Sequence, residues 1–66
     1  MNSEKIGKLL TTLRGEKALR DIAAELGLSP AAIRQYESGN RIPRDDIKEK
    51  IAKLYNKTVQ EIFYSE

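Results

Sequence analysis

The turn Gly27-Leu28-Ser29, which separates two short helical segments, constrains the fold of this chain more than any other feature. Between residues 19 and 26, apolar residues recur three and four positions apart, which is the spacing of one buried helix face. Gly27 can end this helix in the left-handed conformation, and Ser29 followed by Pro30 is a strong start signal for the next helix. Two helices joined by so short a turn must cross at a steep angle, so we expect the first to brace the second.

Apolar residues keep helical spacing in the rest of the chain, and no segment alternates polar and apolar residues for long. The sequence predicts five helices, at about residues 3–14, 19–26, 30–37 and 45–56, with a short last one opened at residue 58. Ser3 is the predicted cap of the first helix, while Thr58 and Glu61 have the spacing of a capping box. We therefore predict an all-α fold in a single domain over residues 1–66.

Histidine and cysteine are both missing from the 66 residues. Imidazole bases, thiolate nucleophiles, disulfides and the usual zinc ligands are thereby excluded, and so short a chain has little room for a catalytic cleft. Glu37 has no evident polar partner for catalysis, so we expect no enzyme activity, metal, cofactor or small-molecule ligand. No apolar run approaches the roughly 20 residues of a membrane span, and no signal peptide is evident, which predicts a cytoplasmic protein without a membrane partner.

The net charge is only +2, so its distribution matters more than its size. Between residues 34 and 44 the chain carries three arginines, Arg34, Arg41 and Arg44, but only one acidic residue, Glu37. Positive charge is thus concentrated in the middle of the chain. Such a segment fits either a nucleic-acid partner or an ordinary solvated surface, and charge alone does not decide between them.

Residues 22–39, with the sequence IAAELGLSPAAIRQYESG, resemble the helix-turn-helix of the Cro/cI-type repressors, the XRE family. The following Asn40-Arg41-Ile42-Pro43 is similar to the turn after that family's recognition helix, and residues 51–54 and 58–63 are similar to its fourth and fifth helices. The resemblance implies a compact, five-helix, lambda-repressor-like domain whose second and third helices form the motif. It also implies a sequence-specific regulator that binds double-stranded DNA.

The third helix is expected to turn Ile33 and Tyr36 inward and to expose its opposite face. By the resemblance, the base-contacting positions in the major groove are Pro30, Ala31, Arg34 and Gln35. An arginine can donate two hydrogen bonds to guanine, glutamine can pair with adenine, and alanine can touch a thymine methyl group. A phosphate contact or a plain surface charge is the alternative for Arg34.

Two further groups of residues take roles from the resemblance. The phosphate contacts are expected at helix ends and in the turn after the third helix, from Leu19, Arg20, Ser29, Ser38, Asn40, Arg41 and Arg44. Arg14 and Glu37 are expected to form a structural ion pair that holds the third helix, although residues 15–18 make a shorter connection than the family usually has.

The resemblance also implies a homodimer on an inverted repeat, with Phe63 and Tyr64 as interface candidates. Ile62 and Phe63 have the alternative of closing the core, and we expect Val59 and Ile62 to do so. We expect a small, complete repressor that acts by covering a promoter. Two alternatives stay open: the DNA-binding antitoxin of a toxin–antitoxin pair, and a protein-interaction module that kept the fold without DNA binding. The sequence leaves the operator, the regulated genes and the source organism unspecified, and does not separate repression from activation.

Overall fold

Five helices follow one another along residues 2–65, the part of the chain that the computed structural model describes. They are α1 (Ser3–Arg14), α2 (Leu19–Leu26), α3 (Pro30–Glu37), α4 (Asp45–Leu54) and a single π-type turn, α5 (Gln60–Tyr64). These residues contain no strand, and the predicted all-α fold with five helices is confirmed. The first three helices have the predicted bounds, whereas α4 ends two residues before the predicted end and α5 begins two residues after residue 58.

Three helices end at a left-handed residue: α2 at Gly27 (φ 71°), α3 before Gly39 (φ 83°) and α4 before Asn56 (φ 56°). In each case the next N–H group donates to a carbonyl five positions back, at 2.9 Å from Leu28 to Ala23, 3.1 Å from Asn40 to Gln35 and 2.9 Å from Lys57 to Ala52. These Schellman turns satisfy carbonyl groups that the helix leaves unpaired. The early end of α4 follows, because a helix does not continue through a left-handed residue.

Polar side chains cap the starts of α1 and α3. Asn2, not the predicted Ser3, caps α1, because its Oδ1 atom accepts the N–H of Lys5 at 3.0 Å. Ser3 is already the first helical residue, so the prediction was wrong by one position. Ser29 caps α3 as predicted, since its Oγ atom accepts the N–H of Ala32 at 3.2 Å.

The predicted capping box before α5 is confirmed. The N–H of Thr58 donates to Glu61 Oε1 at 2.9 Å, and the N–H of Glu61 donates to Thr58 Oγ1 at 3.0 Å. The backbone hydrogen bond from Thr58, followed by the bond with its side chain, lowers the pKa of Glu61 below its ordinary value. The box therefore depends on the ionised carboxylate.

All five helices contribute to one apolar core. Its buried members are Ile6, Leu10, Ile22, Ala23, Leu26, Ile33, Tyr36, Ile47, Ile51, Ala52, Ile62 and Phe63. The inward orientation of Ile33 and Tyr36 is confirmed. Helix α3 packs on α2, as expected, but its contact with α1 is more extensive. Two helices, not α2 alone, therefore support α3.

The C-terminal residues correct one prediction about the interface. Phe63 was a candidate for contact with a second copy, but only 1% of it is exposed, and it is one of the two largest fully buried side chains. Its ring instead belongs to the core, where a large aromatic side chain contributes most to stability. Tyr64 is 44% exposed and stays a candidate.

A lysine in α4 is buried against α5. Lys48 is only 6% exposed, and its Nζ donates to the hydroxyl of Tyr64 at 3.1 Å and to Asp45 Oδ1 at 3.4 Å. The same atom lies 5.1 Å from the centre of the Tyr64 ring and 5.8 Å from that of Phe63. The hydrogen bond with Tyr64 is the largest influence that raises the pKa of Lys48 above its ordinary value. The ammonium group thus replaces its lost hydration with protein contacts and ties α5 to α4.

Candidate nucleic-acid interface

One edge of α3 is open to solvent. Pro30, Ala31, Arg34 and Gln35, the four predicted base-contacting residues, are all exposed, while Ile33 and Tyr36 on the other side are buried. The first two positions carry small side chains, so a flat partner can approach the start of the helix closely. Arg34 and Gln35 lie one helical turn further along and carry the long side chains of this edge that can form hydrogen bonds.

Three exposed arginine side chains around α3 have no acidic partner among residues 2–65. Among residues 2–65, carboxylates pair with Arg14, Arg44 and Lys48. The guanidinium groups of Arg20, Arg34 and Arg41 form no ion pair within that part of the chain, and all three residues are exposed. Their donors are therefore available to an external anion, and a planar guanidinium suits both phosphate and the guanine edge.

The end of α3 is held by an ion pair with α1. Arg14 Nε and Nη2 donate to Glu37 Oε2 and Oε1 at 2.8 and 3.0 Å, and Arg14 Nη1 donates to the carbonyl oxygen of Lys17 at 2.8 Å. The short connection after α1 therefore accommodates the pair. The hydrogen bond with Glu37 is the largest influence that raises the pKa of Arg14. Because both carboxylate oxygens of Glu37 accept from a guanidinium, this carboxylate is poorly placed to act as a base.

The turn after α3 is folded back onto the helix. The carbonyl oxygen of Gln35 accepts the N–H groups of Asn40 and Arg41 at 3.1 and 3.3 Å and the hydroxyl of Ser38 at 3.1 Å. Ser38, Asn40 and Arg41 are all exposed. One backbone atom thus fixes three of the predicted phosphate-contacting residues next to the open edge of α3.

Arg44 and Ser29 flank α3 in different ways. Arg44 Nε lies 3.6 Å from Asp46 Oδ1, with the two side chains 79% and 64% exposed, so this pair is weak and easily exchanged for a phosphate. Ser29 uses its Oγ atom as an acceptor in the cap of α3, which leaves its hydroxyl hydrogen able to donate outward.

The start of α2 offers a backbone site beside Arg20. The carbonyl of Ala18 accepts the N–H groups of Asp21 and Ile22, and no side chain caps this end of the helix. The N–H groups of Leu19 and Arg20 come before those bonds and lie at the positive end of the helix dipole. The side chain of Leu19 packs against the core, so Leu19 can meet a phosphate only through its N–H group.

Two features typical of other kinds of function do not occur in residues 2–65. No cluster of three or more carboxylate, imidazole or thiolate side chains that could hold a metal ion occurs there. Within the same residues, every helix is too short or too polar to cross a membrane.

A family model for helix-turn-helix domains of the Cro/C1 type matches residues 12–62, which is most of the chain. The chain belongs to the Cro/C1-type helix-turn-helix family, also called XRE. The resemblance seen in the sequence is thereby confirmed, and with it a DNA-binding regulatory domain of a family that is not typically enzymatic. No curated protein was found to match the chain.

Sequence reasoning overlooked one residue that supports the interface of this Cro/C1-type domain. Gly7 is buried in the middle of α1, where a Cβ atom would collide with the carbonyl oxygen of Glu37 and lie 3.0 Å from that of Tyr36. A glycine inside an otherwise good helical pattern was the available signal, because glycine destabilises a helix unless close packing requires it.

Proposed function

We propose that the chain is a transcriptional repressor that binds an inverted-repeat operator as a homodimer, with α3 in the major groove. The observation that supports this most is the exposed edge of α3, which presents Arg34 with no carboxylate partner among residues 2–65. This edge lies between the two proposed groups of phosphate-contacting positions. Membership of the Cro/C1-type family supplies the DNA-binding character. The regulatory direction and the assembly belong to the proposal.

In this proposal, Arg34 and Gln35 read bases while Pro30 and Ala31 allow close approach. Arg34 donates to the O6 and N7 atoms of guanine, and Gln35 pairs with the neighbouring adenine or contacts the next base pair. Leu19, through its N–H group, and Arg20 contact phosphates on one side of the groove. Ser29, Ser38, Asn40, Arg41 and Arg44 contact phosphates around and beyond α3.

The proposal of a homodimer rests on the small size of the surface that α3 offers to DNA. Helix α3 has eight residues and is therefore about 12 Å long, enough for only a few base pairs. Two half-sites read on one face of DNA lie about 34 Å apart, and a molecule with extents of 28 × 22 × 21 Å suits that spacing when two copies lie side by side. The exposed Tyr64, next to a groove between α1 and α5 that Lys5 and Leu9 also line, is the proposed contact.

The repressor would act in the cytoplasm by covering a promoter, with no catalytic step, cofactor or small-molecule ligand. The direct test is selection of bound duplexes from a random pool by the purified protein. We expect a two-fold repeat with half-site centres about 10 base pairs apart. The variants R34A and Q35A should each lose discrimination at one position per half-site, by about 1–3 kcal/mol.

Other results would favour one of the alternative functions. A pool that stays random at moderate salt would contradict DNA recognition and favour the protein-interaction module. Co-purification of a toxin that the chain neutralises would favour the antitoxin. As an electrostatic check, affinity should fall by at least about a thousandfold between about 50 and 200 mM salt, because about six phosphate contacts already give that factor and the proposed dimer offers more.

A further inference from the structure

Helix α1 meets the C-terminal end of α3 along one row of residues. Gly7, Thr11 and Arg14 lie on one face of α1, because they are spaced four and three positions apart. Arg14 forms the ion pair with Glu37, and Thr11 Oγ1 lies 3.5 Å from Glu37 Oε1. We call this row, with the facing Glu37 and Gly39, the α1–α3 seam.

Glycine makes two of the seam contacts possible. At Gly7, a Cβ atom would collide with the carbonyl oxygen of Glu37 and lie 2.9 Å from its carbonyl carbon. At Gly39, which has a φ of +83°, a Cβ atom would lie 3.2 Å from both the Cα of Glu4 and the carbonyl oxygen of Ser3. The obstructing atoms are backbone atoms, so a side chain at either position can be accommodated only if one helix moves relative to the other.

The end of α3 that the seam holds is opposite the start of its exposed edge. A Cβ atom at Gly7 requires α1 and α3 to move apart locally by about one ångström, since ordinary contact begins at 3.4 Å and the Glu37 carbonyl oxygen lies well inside that distance. Helix α3 is short and rigid, so its other end moves with it. Hydrogen bonds to bases tolerate little of this, because useful donor–acceptor distances span only about 2.7–3.2 Å. The phosphate contacts made through the long, flexible side chains of Arg20, Arg41 and Arg44 tolerate far more.

We propose that Gly7 and Gly39 are positioning residues for sequence discrimination: their missing side chains set the tilt of α3, and so decide whether Arg34 and Gln35 reach the base edges. This inference rests on the proposed function. Net charge, the exposed residues and the phosphate-contacting positions are the same in a protein whose seam is altered. Selective binding should therefore weaken while non-selective binding stays.

The test compares two duplexes of equal length, the one that the wild-type protein selects from a random pool and a scrambled version, at one salt concentration. In G7A we expect the ratio of the two affinities to fall about tenfold or more, because one bidentate base contact is worth about that factor. Affinity for the scrambled duplex should stay within about twofold. In G39N the ratio should fall less, since asparagine tolerates a positive φ and its contacts are less severe.

The matched control is G15A, which makes the same exchange at the end of the same helix. Gly15 also has a positive φ, of +60°, but a Cβ atom there would come no closer than 4.0 Å to Thr12, so backbone strain arises without pressure on α3. Binding is measured where thermal melts show each variant folded. If G7A does not fold, G39N carries the test.

Backbone N–H residual dipolar couplings provide a second readout, since they report the angle between α1 and α3 without DNA. The proposal is supported if the angle changes in the seam variants but not in G15A, and if the ratio of the affinities for the selected and scrambled duplexes falls in the same variants. Wild-type discrimination in both seam variants, a loss no larger than in G15A, or an unchanged angle overturns it. A wild-type protein that binds all duplexes equally overturns the proposed function as well, so the two failures are distinguishable.

Discussion

Replacing Glu37 by glutamine tests how α3 is held. The substitution E37Q keeps the shape of the side chain but removes its charge, so Arg14 loses the carboxylate that accepts two of its hydrogen bonds. The amide of glutamine offers one acceptor oxygen, and its NH₂ group faces a guanidinium that can only donate. One hydrogen bond is therefore lost, and two donors are brought together.

The expected cost follows from how far the pair is buried. The side chains of Arg14 and Glu37 are 20% and 10% exposed, and breaking a fully buried pair costs about 3–5 kcal/mol. Partial exposure, the surviving bond to Lys17 and the one acceptor of glutamine reduce this to about 2–3 kcal/mol of the free energy of unfolding. Domains of this size have only about 3–10 kcal/mol in total, so the melting temperature should fall by about 10–20 °C.

Urea denaturation followed by circular dichroism measures the change, with D46N as the control. That variant makes the same acid-to-amide exchange in the exposed pair with Arg44, which should contribute less than about 0.5 kcal/mol. A double-mutant cycle with R14M then isolates the coupling between Arg14 and Glu37. If E37Q costs no more than D46N, or if the cycle shows no coupling, the pair does not hold α3 and the reasoning is refuted.

Three other predictions concern α4, the residue at its end and the start of α5. The variant K48M should lower the free energy of unfolding, measured by urea denaturation, by about 1–2 kcal/mol. It keeps the apolar stem but removes the hydrogen bond with Tyr64 and the contacts of the ammonium group with two rings, so an unchanged value would show that this group contributes nothing. The variant N56A should lower the free energy of unfolding by about 1–2 kcal/mol because alanine is strained at a φ of 56°, whereas N56G should match the wild type. Equal melting temperatures for the two variants would contradict this reasoning. The pKa of Glu61 is lower in the folded protein than its ordinary value of 4.5, so its contribution to stability is complete above about pH 4.5 and is lost as the pH falls through the folded pKa. The variant E61Q should therefore make the acid limb of a stability–pH curve shallower. An identical limb would count against the capping box.

Local signals in the sequence predicted most of the fold. The Ser29-Pro30 start of α3, the left-handed Gly27 and the capping box of Thr58 and Glu61 each depend on residues a few positions apart, and each is present in the structure. The end of α4 was misplaced because asparagine, unlike glycine, is only an occasional left-handed terminator. Helix bounds were thus predictable where one residue type dominates the local choice.

Features that depend on distant parts of the chain were harder to predict. The burial of Lys48 requires aromatic residues 15 and 16 positions later to cover it, and nothing in α4 itself distinguishes this lysine from Lys50 or Lys53. The sequence pattern likewise left Phe63 open to either the core or an interface. For the candidate site, periodicity and the family resemblance predicted which residues α3 exposes, but the support from Gly7 appears only when two helices are in contact.

The arginines of this domain divide into two groups with different physical roles. Arg14 and Arg44 pair with carboxylates in residues 2–65, whereas Arg20, Arg34 and Arg41 do not, and these three lie at the start of α2, on α3 and in the turn after it. Folding therefore fixes the backbone beneath the second group without neutralising its side chains. A partner with a line of negative charges can bind these guanidinium groups without breaking an ion pair within residues 2–65. Helix α3 is also already ordered before the partner binds. Both effects lower the free-energy cost of binding a polyanion, and in the proposed function the exposed edge of α3 selects the sequence of that polyanion.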